Sequence, residues 1–170
     1  MASYDYGKDK VIKYIMSLEP RSILDVGACD GKWSRLLKDA GYKGCIEAVE
    51  IFKPNADRLG CYYDKVYNQD IYGFEYRKNK YDVVIFGDVI EHMTIISAQD
   101  VLAYALKKSA EVIVGVPYQY KQGMIYGNPW ERHIQDDLTH ELFMQRYPGF
   151  ERMFQAAPDY AYYHREGGPM

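Results

Sequence analysis

Apolar residues first recur at helical spacing over 8–18, where Val11, Ile12, Ile15 and Leu18 share one face and Glu19-Pro20 stops the run. The block Ile23-Leu24-Asp25-Val26, within 22–26, reads as a buried strand that runs straight into a glycine turn. Helical spacing returns at 32–40 and ends at Gly41, a good C-terminal stop. A second strand is predicted at 45–50, a helix at 53–59 closed by Gly60, and a short third strand at 65–68 ending near Asp70. Residues 81–86 (Tyr-Asp-Val-Val-Ile-Phe) form an apolar central strand. A helix at 97–109 and a strand at 111–116, ended by Pro117, follow. The alternation then breaks. Residues 118–137 are rich in Tyr, Gln, Gly, Asn and Pro and are expected to form a long functional loop. A short helix at 138–146 precedes two strands, 150–155 and 160–165, joined around Ala-Ala-Pro-Asp as an antiparallel hairpin. Strands alternating with helices predict an α/β protein with a doubly wound, mainly parallel seven-stranded sheet covered on both faces, ending in that hairpin.

Length and composition change this picture little. At 170 residues the chain is expected to be one domain, 1–170, with no repeat or linker, and large enough to bury a core without staples. A hydrophobic content of 48% with 26% charged residues is that of an ordinary soluble protein. The net charge of −3 argues against a large nucleic-acid surface, and Arg77-Lys78 and Lys107-Lys108 are short basic pairs, not a track. Cys29, Cys45 and Cys61 are odd in number and lack metal-binding or disulfide spacing. With no signal-like N-terminus and no apolar run near ~18 residues, a cytoplasmic protein with no membrane association is expected. The 18 tyrosines are the one unusual number. Each combines a flat ring with a polar tip, suited to a ligand wall or to an amphipathic packing surface.

The chemistry concentrates at strand ends. Strand, glycine-bearing turn and helix across 22–37 make the nucleotide-binding corner of a Rossmann-like sheet. Its sequence is Asp25-Val-Gly27-Ala28-Cys-Asp30-Gly31. The pattern Asp-x-Gly-x-x-x-Gly resembles motif I of the class I S-adenosylmethionine (SAM) dependent methyltransferases. A carboxylate beside the turn suits a cationic ligand and disfavours a pyrophosphate. Glu50 ends the second strand about 20 residues on, where an acid can accept the ribose hydroxyls, with Ile51 and Phe52 beside it for adenine. The resemblance implies that Asp25 and Asp30 receive the ammonium group of SAM. It further implies that Gly27, Ala28 and Gly31 pack along its methionine part, that Asp70 holds the adenine amino group, and that Ile71 lines the ring. Asp88, in Phe86-Gly87-Asp88-Val89-Ile90-Glu91-His92 at the end of the fourth strand, completes the cofactor set.

Methyl transfer from a sulfonium is an in-line displacement, so the enzyme's main work is positioning, and a hydroxyl or amine acceptor also needs a base. His133, in the loop segment Gly127-Asn-Pro-Trp-Glu-Arg-His133, is the candidate base, with His92 second. The loop 118–137 is expected to be the substrate lid. His140 is expected on the surface, and no role is assigned to His164. No residue is assigned as a metal ligand, but an alternative uses the same segment. Asp88-x-x-Glu91-His92 resembles the Glu-x-x-Glu-His run by which small-RNA 2′-O-methyltransferases hold a divalent ion, with His133 or His140 completing the set. Asp88 has a shorter reach than Glu, and Met93 stands where those enzymes have a second His. The Asn/Asp-Pro-Pro-Tyr signature of base N-methylation is absent. The expected activity is SAM-dependent methylation of an O or N atom on a small molecule. A metal-assisted RNA 2′-O-methyltransferase, a protein methyltransferase and a non-catalytic SAM-binding partner subunit are the alternatives, and a homodimer is left open.

Overall fold

The computed structural model describes residues 5–76 and 81–168, so the basic pair Arg77-Lys78 lies outside the described residues. The strands are β1 (Ser22–Val26), β2 (Cys45–Val49), β3 (Lys65–Tyr67), β4 (Tyr81–Gly87), β5 (Ser109–Pro117), β6 (Glu151–Ala157) and β7 (Tyr160–Glu166). They form one seven-stranded sheet in the order β3-β2-β1-β4-β5-β7-β6. β1 to β5 pair in parallel, while β7 inserts antiparallel between β5 and β6. The doubly wound α/β sheet and its C-terminal hairpin are therefore as the alternation predicted.

Side chains on successive strand residues point to opposite faces, so each strand feeds two cores. On one face Ile23, Ile46, Val83, Ile85 and Ile113 pack beneath α1 (Lys8–Ser17) and α2 (Lys32–Asp39) through Val11, Ile15, Trp33 and Leu37. On the other, Leu24, Val26, Val84, Phe86, Val112 and Val114 meet α4 (Ile95–Lys108) and α5 (His140–Arg146) through Leu102, Ala105 and Phe143. Being covered on both sides explains why the parallel strands read as unbroken apolar runs.

Four helix boundaries move for local reasons. The helix expected at 53–59 is only α3 (Lys53–Ala56), followed by a 3-10 turn at Leu59–Cys61; it buries little but Asn55 and Ala56, and a helix without an apolar stripe has no packing to extend it. α4 starts at Ile95 because the Thr94 hydroxyl accepts from the Ser97 N–H at 3.2 Å. It ends at Lys108, and Ser109 already pairs with Tyr81 in the sheet. α5 starts at His140 because Thr139 caps Leu142. Its first residue corrects another expectation: His140 is half-buried, its Nδ1 2.9 Å from the Tyr163 hydroxyl and its ring stacked on that tyrosine. His164, given no role, has Nδ1 2.7 Å from the buried Glu111 carboxylate beside Tyr14, a hydrogen-bonded clamp between β7 and the amino end of β5. The three cysteines are free thiols, and no helix among the described residues is long and apolar enough to cross a membrane.

Candidate active site

The carboxyl ends of β1, β2, β4 and β5 open into a cleft of about 370 Å³, at the edge where open α/β sheets bind ligands. Its first wall is the turn after β1. Gly27 takes φ +70°, and a Cβ there would sit 2.7 Å from Val89 Cγ2, so only glycine lets the turn lie against the loop after β4. Cys29 (φ 48°) and Asp88 (φ 58°) are held in left-handed backbone, and both line the cleft. Such conformations cost about 1–3 kcal/mol each and gather at functional sites.

Of the residues assigned to the cofactor, Gly27, Ala28, Asp30, Glu50, Ile51, Asp70, Ile71 and Asp88 line this cavity. Glu50 is buried, and its two oxygens accept from the backbone N–H groups of Cys29 and Phe52, each at 2.8 Å. Burial raises its pKa against those two donors. Each oxygen keeps a lone pair for a hydroxyl. Asn68 fixes this strand end by donating to the Glu50 and Ile51 carbonyls. One Asp70 oxygen caps the Tyr72 N–H at 2.9 Å.

Asp25 and Gly31 stand outside the lining of the cleft. The lining begins at Val26. Asp25 is fully buried beneath the turn and accepts the Tyr63 hydroxyl, because its side chain shares the face of Ile23 under α2. Burial pushes its carboxyl up to about 7, opposed by the Tyr63 bond and raised further by Glu50. It supports the corner from below, with one carboxylate oxygen on Tyr63 and the other without a hydrogen-bond partner among the described residues. Gly31 opens α2 with φ +78° behind the Tyr62 ring, also outside the lining. Phe52, expected beside adenine, instead precedes α3 as its cap and is not part of the lining.

At the other end of the cleft the chain brings Glu91, His92 and His133 together, each offering a donor atom within 4.8 Å of the others. Two hydrogen bonds weld the lid to this strand end: the Glu91 carbonyl accepts the N–H groups of Ile134 at 2.8 Å and Gln135 at 3.0 Å. Gln135 also donates its side-chain amide to the Ile90 and Met93 carbonyls. The imidazole Nδ1 of His92 lies 3.2 Å from the Arg132 carbonyl and that of His133 lies 2.7 Å from the Tyr120 carbonyl. A carbonyl only accepts, so each Nδ1 carries a proton and each Nε2 keeps its lone pair. Burial and the neighbouring His133 push His92 down to about 4, and burial lowers His133 as well, so both rings are neutral at pH 7. Glu91 is 1% exposed, with neither carboxylate oxygen hydrogen-bonded among the described residues. Burial and then Asp88 raise its pKa well above the usual range.

The loop 118–137, expected to be the substrate lid, contributes Tyr120, Gln122, Asn128, Trp130, Glu131, His133 and Ile134 to the same cavity. Trp130, in a 3-10 turn at Pro129–Glu131, is about half exposed at its rim. Sequence reasoning missed Trp33, Gln122 and Glu131. Trp33 reaches the cleft because Gly87 has no Cβ, which would lie 2.4 Å from the indole nitrogen. It also missed Lys8, buried behind Trp33 with Nζ 4.7 Å from that ring and 3.3 Å from the Tyr162 hydroxyl. Among the described residues, six carboxylates line the cleft, Asp30, Glu50, Asp70, Asp88, Glu91 and Glu131, against Lys32 as its only Lys or Arg. That balance, with a glycine turn and a ribose-type acid, fits a cationic adenosine ligand such as SAM.

A glycine corner on a doubly wound sheet, an acid closing the second strand and an antiparallel last pair define an α/β protein with a cleft suited to an adenosine cofactor. Residues 5–114 match a family model described as a methyltransferase domain, about two thirds of the chain, and the chain belongs to that methyltransferase family. Solved structures share the fold. The methyltransferase domain of a bacterial Hen1 (CtHen1) aligns with TM-score 0.71 at 18% identity, over 96% of this chain and 98% of that one. The magnesium protoporphyrin IX methyltransferase of Synechocystis, with bound S-adenosylhomocysteine (SAH), aligns with TM-score 0.66 at 15% identity, over 93% and 81%. The plantazolicin methyltransferase BpumL, in complex with SAH, aligns with TM-score 0.69 at 12% identity, over 96% and 83%. No curated protein matches the chain. The protein is a SAM-dependent methyltransferase of class I architecture.

Proposed function

We propose that this enzyme methylates an oxygen or nitrogen atom of a small-molecule acceptor bound beneath the 118–137 lid. The observation that carries this reading is the pair of neutral imidazoles, His92 and His133, each with Nδ1 on a backbone carbonyl, lining the same cleft as Glu50. When bound, SAM supplies an electrophilic methyl group on a cationic sulfur. Asp30, Glu50, Ile51, Asp70 and Ile71 would hold it, with Gly27 giving the backbone approach. His133 is the base best able to take the acceptor's proton, because its Nδ1–H is anchored on the Tyr120 carbonyl and its Nε2 is left as the acceptor. Asp88 and Glu131 give the acceptor half negative charge, which favours a neutral or cationic small molecule over a phosphate-bearing one.

One observation supports a second reading at the same place. Glu91, His92 and His133 could hold a divalent cation: the carboxylate is buried without a hydrogen bond among the described residues, and both imidazoles are oriented by backbone carbonyls, as metal-binding histidines usually are. Mixed carboxylate and imidazole donors suit Mn²⁺ and its neighbours. There the ion would polarise an acceptor hydroxyl, as in 2′-O-methylation of RNA. One assay addresses both readings: SAH release from acceptor pools, by wild type and His133→Ala, with and without EDTA. The metal-free reading expects His133→Ala to lose about 10²-fold in turnover, with SAM affinity intact and EDTA without effect. Unchanged turnover removes His133 from the chemistry. Loss of activity in EDTA, restored by Mn²⁺ or Mg²⁺, decides for the cation.

A further inference from the structure

Glu131 lies in the lid, outside every motif that carries the family resemblance, yet it lines the cavity. Its place is fixed by the lid itself. The Asn128 amide donates to one carboxylate oxygen at 3.3 Å. The Gln122 amide donates to the other at 3.3 Å and to the Glu131 carbonyl at 2.7 Å. Asn128 is buried and caps the turn through the Trp130 N–H at 3.1 Å. The half-buried carboxylate is therefore held over the cleft by the fold of the loop, and among the described residues its hydrogen bonds include no cationic partner.

The neighbours it acts on locate it further. Its negative charge raises the pKa of Cys29 and Glu50 at the ribose end and of Glu91 at the acceptor end. Cys29, Glu50, Glu91 and Glu131 line one cavity, so the Glu131 carboxylate borders the space that joins its ribose and acceptor ends. A methyl donor must bridge the same two ends, because its ribose meets Glu50 and its methyl meets the acceptor. The cationic sulfur lies between them by connectivity.

We propose that Glu131 reads the charge on the cofactor sulfur and so favours the binding of SAM over SAH. The inference rests on the cofactor orientation proposed above. In methyl transfer an acceptor lone pair forms the new bond to carbon. The pair of the S–CH₃ bond returns to sulfur, the acceptor's proton passes to base, and the sulfonium becomes a neutral thioether. The cation facing Glu131 disappears in that step. Glu131 is then left in an acidic cleft with no ligand cation to offset its charge, so the product is held less tightly than the substrate form.

The test is calorimetric titration of wild type, Glu131→Gln and Glu131→Asp with SAM, with SAH and with sinefungin, which carries an amine cation in place of the sulfonium. The amide keeps the side chain's shape and removes its charge. Glu131→Gln should weaken SAM and sinefungin about tenfold while SAH stays within about twofold. Glu131→Asp, which keeps the charge, should retain most of the preference for the cationic ligands. Parallel weakening of all three ligands, or no change in any, overturns the proposal, since either outcome means the carboxylate only builds the loop or faces elsewhere. Wild type that binds neither SAM nor SAH would overturn the cofactor orientation along with it. Thermal melts of each variant, alone and with SAH, show that the lid is folded in the proteins compared.

Discussion

Replacing Asp25 by asparagine should make the protein more stable, and more so the higher the pH. The carboxyl lies fully buried under the glycine turn, and burial lifts its pKa from 3.8 to about 7. Between those values the unfolded chain is ionised at this position while the folded chain holds a proton. The folded state therefore binds more protons, and its stability falls as pH rises from about 4 to 7. The rise of about three units is worth ~4 kcal/mol of stability missing above pH 7. Between pH 5 and pH 8 the wild type should lose ~2.5 kcal/mol from this group alone. The amide of Asp25→Asn cannot ionise, yet its carbonyl still accepts the Tyr63 hydroxyl. All other groups are common to both proteins, so the difference between them isolates Asp25. Urea and thermal unfolding of the SAM-free proteins at pH 5 and pH 8 should show the advantage of Asp25→Asn growing by that amount, about 5–10 °C in Tm for a domain of this size. Parallel pH dependence in the two proteins would refute the reasoning and mean that Asp25 is ionised throughout, offset by Lys8 behind it.

Other consequences concern the cofactor corner directly. Glu50→Ala removes the acceptor of two backbone N–H groups together with the ribose contact, and calorimetry should show SAM affinity falling by about 100-fold; an affinity within about threefold of wild type would exclude Glu50 from the site. Gly27→Ala drives a methyl group against Val89 in left-handed backbone, so it should cost about 1–3 kcal/mol in stability and weaken SAM binding. Gly123→Ala, which meets nothing within 4 Å, should leave melts and titrations unchanged; equal effects of the two would mean the corner is not the constraint described.

Local patterning wrote most of the architecture. The doubly buried strands read as apolar runs because parallel strands covered on both faces tolerate little else. Gly27, Glu50 and Asp70 were legible because strand ends next to a turn are positions where a local signal and a binding edge coincide. Short elements were less legible: α3 and the start of α4 depend on packing and on one capping hydroxyl, which periodicity does not see.

What the sequence determined by itself was the fold class, the sheet edge that binds the cofactor, and the chemical type of the residues on it. Which of those residues face the ligand was decided only in three dimensions. Asp25 and Asp30 stand in one motif, yet the β1 pleat turns Asp25 down to Tyr63 and leaves Asp30 on the cleft wall. Glu91, His92 and His133 come from segments some forty residues apart, and the Glu91 carbonyl binding two lid N–H groups makes them one cluster. Glu131 carries no local mark of function; it lines the cleft because the loop 118–137 folds back over the strand ends. Side-chain direction and long-range closure depend on register and backbone hydrogen bonds between distant segments, and neither leaves a period in the chain.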